Sequence, residues 1–180
     1  SYHSLLRERL ARGQYRNADR PILINNWEAT YFDFDAGKIQ QILDAAAPLG
    51  IEMFVLDDGW FGHRNDDNSS LGDWVVNRDK LPGGLSQIAA QTHAKKMRFG
   101  LWFEPENISE DSDLFRQHPD WALGVPNRGR TLSRNEYVLD FSNPLVVDNL
   151  YEQMTVVLDE VPVDYIKWDM NRNLTEVYSA

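Results

Sequence analysis

No cysteine occurs in the 180 residues. That excludes a disulfide framework and any thiolate metal site. No apolar run approaches the roughly 20 residues of a membrane-spanning helix. Positive charge is also short, with 18 Lys and Arg against 28 Asp and Glu, a formal net charge of −10. Such a chain is a poor partner for nucleic acid or an anionic membrane surface, since both require clustered cations. The four histidines (His3, His63, His93, His118) have no metal-ligand spacing. The stretch Ser1 to Arg20 is charged rather than built like a secretion signal, so a cytoplasmic location is expected. The Asn-x-Ser/Thr matches at Asn68, Asn107 and Asn173 are accordingly read as chance. What is abundant is apolar and aromatic material, 42% and 12% with six Trp, enough for one domain or part of one.

Periodicity divides the chain into alternating strands and helices. Tyr2 to Tyr15 carries Leu5, Leu6 and Leu10 among Arg and Glu, which predicts a helix ending near Gly13, with residues 1–20 forming a helical lead-in. Pro21 to Trp27 is a continuous apolar run, as in a strand covered on both faces. A helix over Asp35 to Leu49, a buried strand over Met53 to Leu56 and a long polar loop follow. Gly84 to Lys96 reads as a helix and Arg98 to Phe103 as a third strand. An insertion to about Asp140 holds a short helix at Asp111 to His118, and His118 to Trp121 reads as a structural turn. Pro144 to Glu160 is a helix with proline near its start, and Val163 to Trp168 a fourth buried strand.

This alternation implies right-handed βαβ units and a parallel sheet. No glycine-rich phosphate fingerprint follows the first strand, where Asn25-Asn26-Trp27-Glu28 stands, which argues against a dinucleotide-binding domain. Each strand instead ends in Trp, Asp, Glu or Lys, the residues expected at the active face of a (β/α)8 TIM barrel. Four strands make about half of such a barrel, whose usual length is about 250 residues. Residues 21–180 are therefore expected to be the first four βα units, with the first and last strands as unpaired edges.

Asp57 and Asp58 precede Gly59 at a strand end, where they suit either a turn or the vicinal hydroxyls of a sugar. Trp27, Trp60 and Trp102 lie at or just beyond three strand ends, placed for the core or for a stacking platform. Glu104-Pro105-Glu106 fits a general acid, a metal ligand or a plain strand exit. Lys167, Asp169 and Asn171 alternate at a spacing of two, so on extended backbone they face one way. A cation and a carboxylate aimed together suit a ligand site, and Asp169 is the candidate catalytic carboxylate. Arg134 lies in the insertion, where most arginines are solvated.

Four stretches together are specific: Asn25-Asn26-Trp27-Glu28-Ala29-Thr30, Leu56-Asp57-Asp58-Gly59-Trp60-Phe61-Gly62, Gly100-Leu101-Trp102-Phe103-Glu104-Pro105-Glu106 and Lys167-Trp168-Asp169-Met170-Asn171-Arg172. In this order they resemble the α-galactosidases of glycoside hydrolase family 36, over about Arg20 to Thr175. The resemblance implies Asp169 as nucleophile and Asp57 with Asp58 as holders of the galactose 4- and 6-hydroxyls. It implies Trp27 and Trp102 as pocket walls, and Arg134 and Lys167 as polar sugar contacts. Asn171 is placed with them among the substrate-binding residues. Glu104 and Glu106 are not the family's catalytic acid.

A retaining glycosidase needs two carboxyls about 5–5.5 Å apart, a nucleophile and an acid/base. The resemblance puts the second carboxyl on a later strand, outside this chain, so the segment alone is expected to be inactive. The expected substrates are α-galactosides of the melibiose and raffinose type, with no cofactor and a homo-oligomeric full-length enzyme. Two other functions stay open from the residues themselves. Asp57, Asp58, Glu104 and Asp169 would be ligands in a Mg²⁺-dependent barrel enzyme. A carbohydrate-binding or assembly fragment would keep the platform without catalysis.

Overall fold

The computed structural model describes residues 1–179. Four parallel strands form its centre: β1 (Leu23–Asn25), β2 (Met53–Leu56), β3 (Arg98–Phe103) and β6 (Tyr165–Trp168). They lie side by side in chain order, β1-β2-β3-β6, with Leu23 opposite Met53, Met53 opposite Arg98, and Gly100 opposite Tyr165. The crossovers run through helices α3 (Ala36–Ala46), α4 (Gly84–Ala94) and α6 (Pro144–Glu160). Between β3 and α6 a second, antiparallel ribbon pairs β4 (Asn107–Ser109) with β5 (Glu136–Val138). Consecutive parallel strands joined by helices are the unit of a TIM-type barrel.

Local chemistry accounts for the helices. Asp35 caps α3 by accepting the Lys38 main-chain N–H at 2.8 Å. Ile39, Leu43 and Ala46 form its buried stripe. Asn143 caps α6 by accepting from Leu145 N at 3.0 Å, and Pro144 occupies the first turn, where its missing N–H is no loss. The stripe of α6 (Val146, Leu150, Val157) and that of α4 (Leu85, Ile88, Ala89) are buried in turn. Leu150 and Val157 of α6, with the α4 stripe, close on Phe54, Leu56, Phe99, Leu101 and Phe103 of the sheet. Each such side chain contributes about 1.5–3 kcal/mol by leaving water.

The outer strands depart from the expectation of full burial. Leu23 is 46% exposed, and Tyr165, Ile166 and Trp168 are 41%, 36% and 50% exposed. They occupy the two edges of the sheet, and an apolar run cannot say whether its cover comes from the same segment. The lead-in helix α1 (Tyr2–Arg9) also ends earlier than expected and buries none of its residues. A single helical turn, α2 (Trp27–Thr30), begins where the first strand was expected to continue. The insertion carries its own small core of Ile108, Leu114, Trp121, Tyr137, Leu139 and Val146 around α5 (Asp113–Gln117). Its three-residue strands are too short to show an alternating pattern. Among the described residues no helix is long and apolar enough to cross a membrane.

Candidate active site

All side chains singled out on the strands lie at the C-terminal rim of the sheet. Asp57 follows β2, and its carboxylate is built in from three sides. Its Oδ2 accepts from Asn25 Nδ2 at 2.5 Å and from Lys167 Nζ at 2.8 Å, while its Oδ1 accepts the Asp58 main-chain N–H at 2.9 Å. The Asp57 main-chain N–H donates to Asn26 Oδ1 at 2.8 Å. The adjacent asparagines at the end of β1 thus act as brackets for the acid on β2. Gly59 completes the turn with φ +102°, and a Cβ there would stand 3.1 Å from Phe32 and 3.2 Å from Lys80 and Phe34. Both conformation and space require glycine.

Asp58 has a different partner. Its two oxygens take Arg64 Nε at 2.6 Å and Nη2 at 2.9 Å in a forked pair, with both side chains almost wholly buried. Burial pushes its carboxyl above the usual range against the pull of Arg64. Arg64 donates also to the Ser69 carbonyl at 2.7 Å, tying the long loop after β2 to the rim. Nothing in the spacing of the sequence pointed to Arg64.

Asp169 stands one residue past β6, where its N–H still pairs with the Phe103 carbonyl at 2.8 Å. Three donors meet its carboxylate: Trp102 Nε1 and Asn171 Nδ2 on Oδ2, both at 3.0 Å, and Met170 N on Oδ1 at 3.0 Å. Partial burial opposes its charge, but these hydrogen bonds and the nearby Lys167 cation outweigh it. The carboxyl is held below its ordinary value. Lys167 bonds Asp57 and acts on Asp169 through its charge alone. The rim therefore carries two hydrogen-bonded groups, Asn25 with Asp57 and Lys167, and Trp102 with Asp169 and Asn171, coupled by that charge.

The indoles divide. Trp60 is fully buried, donates Nε1–H to the Trp102 carbonyl at 2.9 Å, and packs edge-on to Phe61 and Phe103. It belongs to the core, so a rim platform of three tryptophans does not form in this chain. Trp102 is 1% exposed and packs near Phe61 and Trp74, but its N–H reaches Asp169. Trp27 is half-buried, held edge-on by Tyr31 and Phe32, and its main-chain N–H donates to Asn25 Oδ1 at 2.7 Å.

Arg134 is exposed, on the tight turn between Ser133 and Glu136. Arg134 and Asn135 both have positive φ, +54° and +61°. Two successive positive values are what a type I′ hairpin turn demands, a strained conformation for arginine.

Three further buried ionisable groups surround these residues. Glu104, 2% exposed, accepts Asn107 Nδ2 at 2.8 Å, Asn171 N at 2.5 Å and Asn171 Nδ2 at 2.9 Å. Glu136, also 2% exposed, has an Oε1 with no hydrogen-bond partner, and burial together with the charge of Glu104 raises its carboxyl to about 8. Arg172 is buried and donates to the carbonyls of Thr131 and Glu136 at 2.9 and 2.6 Å, fastening the insertion to the segment after β6. Only Glu104 stood out beforehand, as a charged strand end.

The four carboxylates considered as Mg²⁺ ligands do not converge as a donor set. Asp57 is committed to Lys167, Asp58 to Arg64, Glu104 to two asparagines and Asp169 to Trp102 and Asn171. Among the described residues no three His, Asp or Glu side chains are grouped to hold a metal ion.

Parallel βα units carrying carboxylates and indoles at their strand ends are the pattern of a barrel-type glycoside hydrolase. The chain belongs to the melibiase family, whose model matches residues 1–180. It is 57% identical over 180 residues to alpha-galactosidase AgaA of Geobacillus stearothermophilus and 54% identical to alpha-galactosidase Mel36A of Lactobacillus acidophilus. Each match covers 100% of this chain and 25% of the relative, so the chain spans about a quarter of their length. The solved structure of a GH36 AgaA variant in complex with raffinose superposes with a TM-score of 0.96 at 57% identity, covering 99% of this chain and 25% of the other. Another AgaA variant, in complex with stachyose, gives a TM-score of 0.95 at 56% identity, with the same coverage.

Proposed function

We propose that this chain is the portion of a retaining α-galactosidase that supplies the nucleophile and one side of the galactose pocket. The observation that carries the reading is the state of Asp169. Three donors and a neighbouring lysine keep it ionised at the rim of a parallel sheet, beside a second acid on the next strand but one. An ionised carboxylate so placed attacks the anomeric carbon and forms a covalent galactosyl–enzyme. Asp57 and Lys167 receive the sugar hydroxyls, Trp27 offers an apolar face, and Arg134 reaches in from its strained turn. Asp58, saturated on one side by Arg64, keeps lone pairs on both oxygens for an O–H donor.

The acid/base is supplied by a part of the enzyme outside this chain, so the segment alone hydrolyses nothing. Terminal α-galactosides of the raffinose and stachyose type are the substrates, in keeping with the sugars bound by the relatives. In the full-length protein, Asp169→Ala should abolish hydrolysis of an aryl α-galactoside, and azide should restore turnover by taking the carboxylate's place on the β face of C1, releasing β-galactosyl azide. Wild-type turnover in that variant would refute the assignment.

A further inference from the structure

Glu104 is joined to Asp169 through the side chain of Asn171. Three N–H donors converge on its carboxylate, two from Asn171 and one from Asn107. An amide nitrogen carries two hydrogens. Asn171 Nδ2 spends one on Glu104 Oε2 at 2.9 Å and the other on Asp169 Oδ2 at 3.0 Å. Turning the amide over would set its oxygen between two carboxylate oxygens, so only one orientation is possible while both acids are ionised. Burial pushes Glu104 towards the neutral form, and the amide donors are what oppose it.

We propose that Glu104 is a positioning residue of the glycosidase reaction, fixing the Asn171 amide so that its second N–H is aimed at Oδ2 of Asp169. The proposal rests on Asp169 being the nucleophile. Glutamine at 104 fills almost the same volume yet reverses the effect. Its Nε2 would face the Asn171 Nδ2, donor against donor. The amide must then turn over, which presents its oxygen to Asp169 and removes one of the three bonds that hold that carboxylate ionised. A residue that only filled space would tolerate the change.

The test uses the full-length protein carrying this chain, with kcat and kcat/KM for an aryl α-galactoside measured against pH. Glu104→Gln should lower kcat/KM by about 10–100-fold, as expected for the loss of a hydrogen bond to a charged group. Its effect should fall on kcat more than on KM, with the acid limb moved to higher pH. Asn171→Ala should move that limb in the same direction. If Glu104 acts through Asn171, the double variant should match Asn171→Ala alone within about twofold, because the two share one interaction. Penalties that multiply in the double variant would overturn the proposal, as would an acid limb left unmoved by Asn171→Ala. The second of these can be read even if Glu104→Gln does not fold. A wild-type enzyme without α-galactosidase turnover would overturn the nucleophile reading and this proposal with it, whereas an active wild type with independent penalties would overturn only the role of Glu104.

Discussion

Replacing Glu136 with glutamine should stabilise the β4–β5 ribbon, and increasingly so as the pH rises. The carboxyl is 2% exposed, its Oε1 has no partner, and Arg172 spends its nearest bond on the Glu136 carbonyl instead. Burial first, and then the negative charge of Glu104, raise it from 4.5 to about 8. The folded protein therefore keeps a proton that the unfolded chain releases. Stability from this proton is fully present below about pH 4.5 and declines as the pH rises to about 8, where the folded form also ionises. At about 1.4 kcal/mol per pH unit the whole span is worth about 5 kcal/mol, and the interval from pH 6 to pH 8 about 3 kcal/mol. Glutamine resembles the protonated form and does not titrate. Amide hydrogen exchange in the ribbon, corrected for intrinsic rates, should show wild type and Glu136→Gln diverging roughly 100-fold in opening equilibrium between pH 6 and pH 8. A ratio constant over that interval would refute the claim that Glu136 is buried as a neutral acid.

Arg64→Met leaves Asp58 buried without its cation, and should cost about 3–5 kcal/mol. A depressed thermal midpoint, partly restored by adding Asp58→Asn, would show it. Trp102→Phe removes one donor from Asp169 while keeping most of the ring, so the acid limb of kcat/KM should move to higher pH. An unmoved limb would mean that the indole N–H has no part in keeping Asp169 ionised. Arg172→Ala strips the Thr131 and Glu136 carbonyls of their donor, at about 1–3 kcal/mol for each unsatisfied group. Limited proteolysis should then nick the insertion between residues 125 and 136 faster than in wild type.

Much of the architecture could be read from one-dimensional pattern. The stripes Ile39/Leu43/Ala46 and Leu150/Val157 repeat at helical spacing, and the runs Met53–Leu56 and Phe99–Phe103 are uninterrupted. Burial of the central strands and their helices follows from such local periods. The ribbon of β4 and β5 left no comparable trace, since three residues cannot display an alternation. Leu23, Ile166 and Trp168 looked like core and stand exposed for another reason: they lie on the two edge strands, and an apolar run does not say what covers it.

For the site, chemistry at the strand ends was legible because charge is unwelcome in a core. Asp57, Lys167, Asp169 and Asn171 announce themselves by type and position alone. Their wiring does not. That Asn25 braces Asp57 across 32 positions, that Arg64 claims Asp58, and that Glu104 reaches Asp169 only by way of Asn171 are matters of distance between segments far apart in the chain. The indoles make the same point: Trp60, beyond the end of β2, gives its N–H to a carbonyl in the core, whereas Trp102, near the end of β3, delivers its N–H to Asp169. Residue type and spacing determined which groups this protein brings to the rim. Only the packed structure decided which donor each carboxylate meets, because hydrogen bonds act over about 3 Å and no local pattern encodes that proximity.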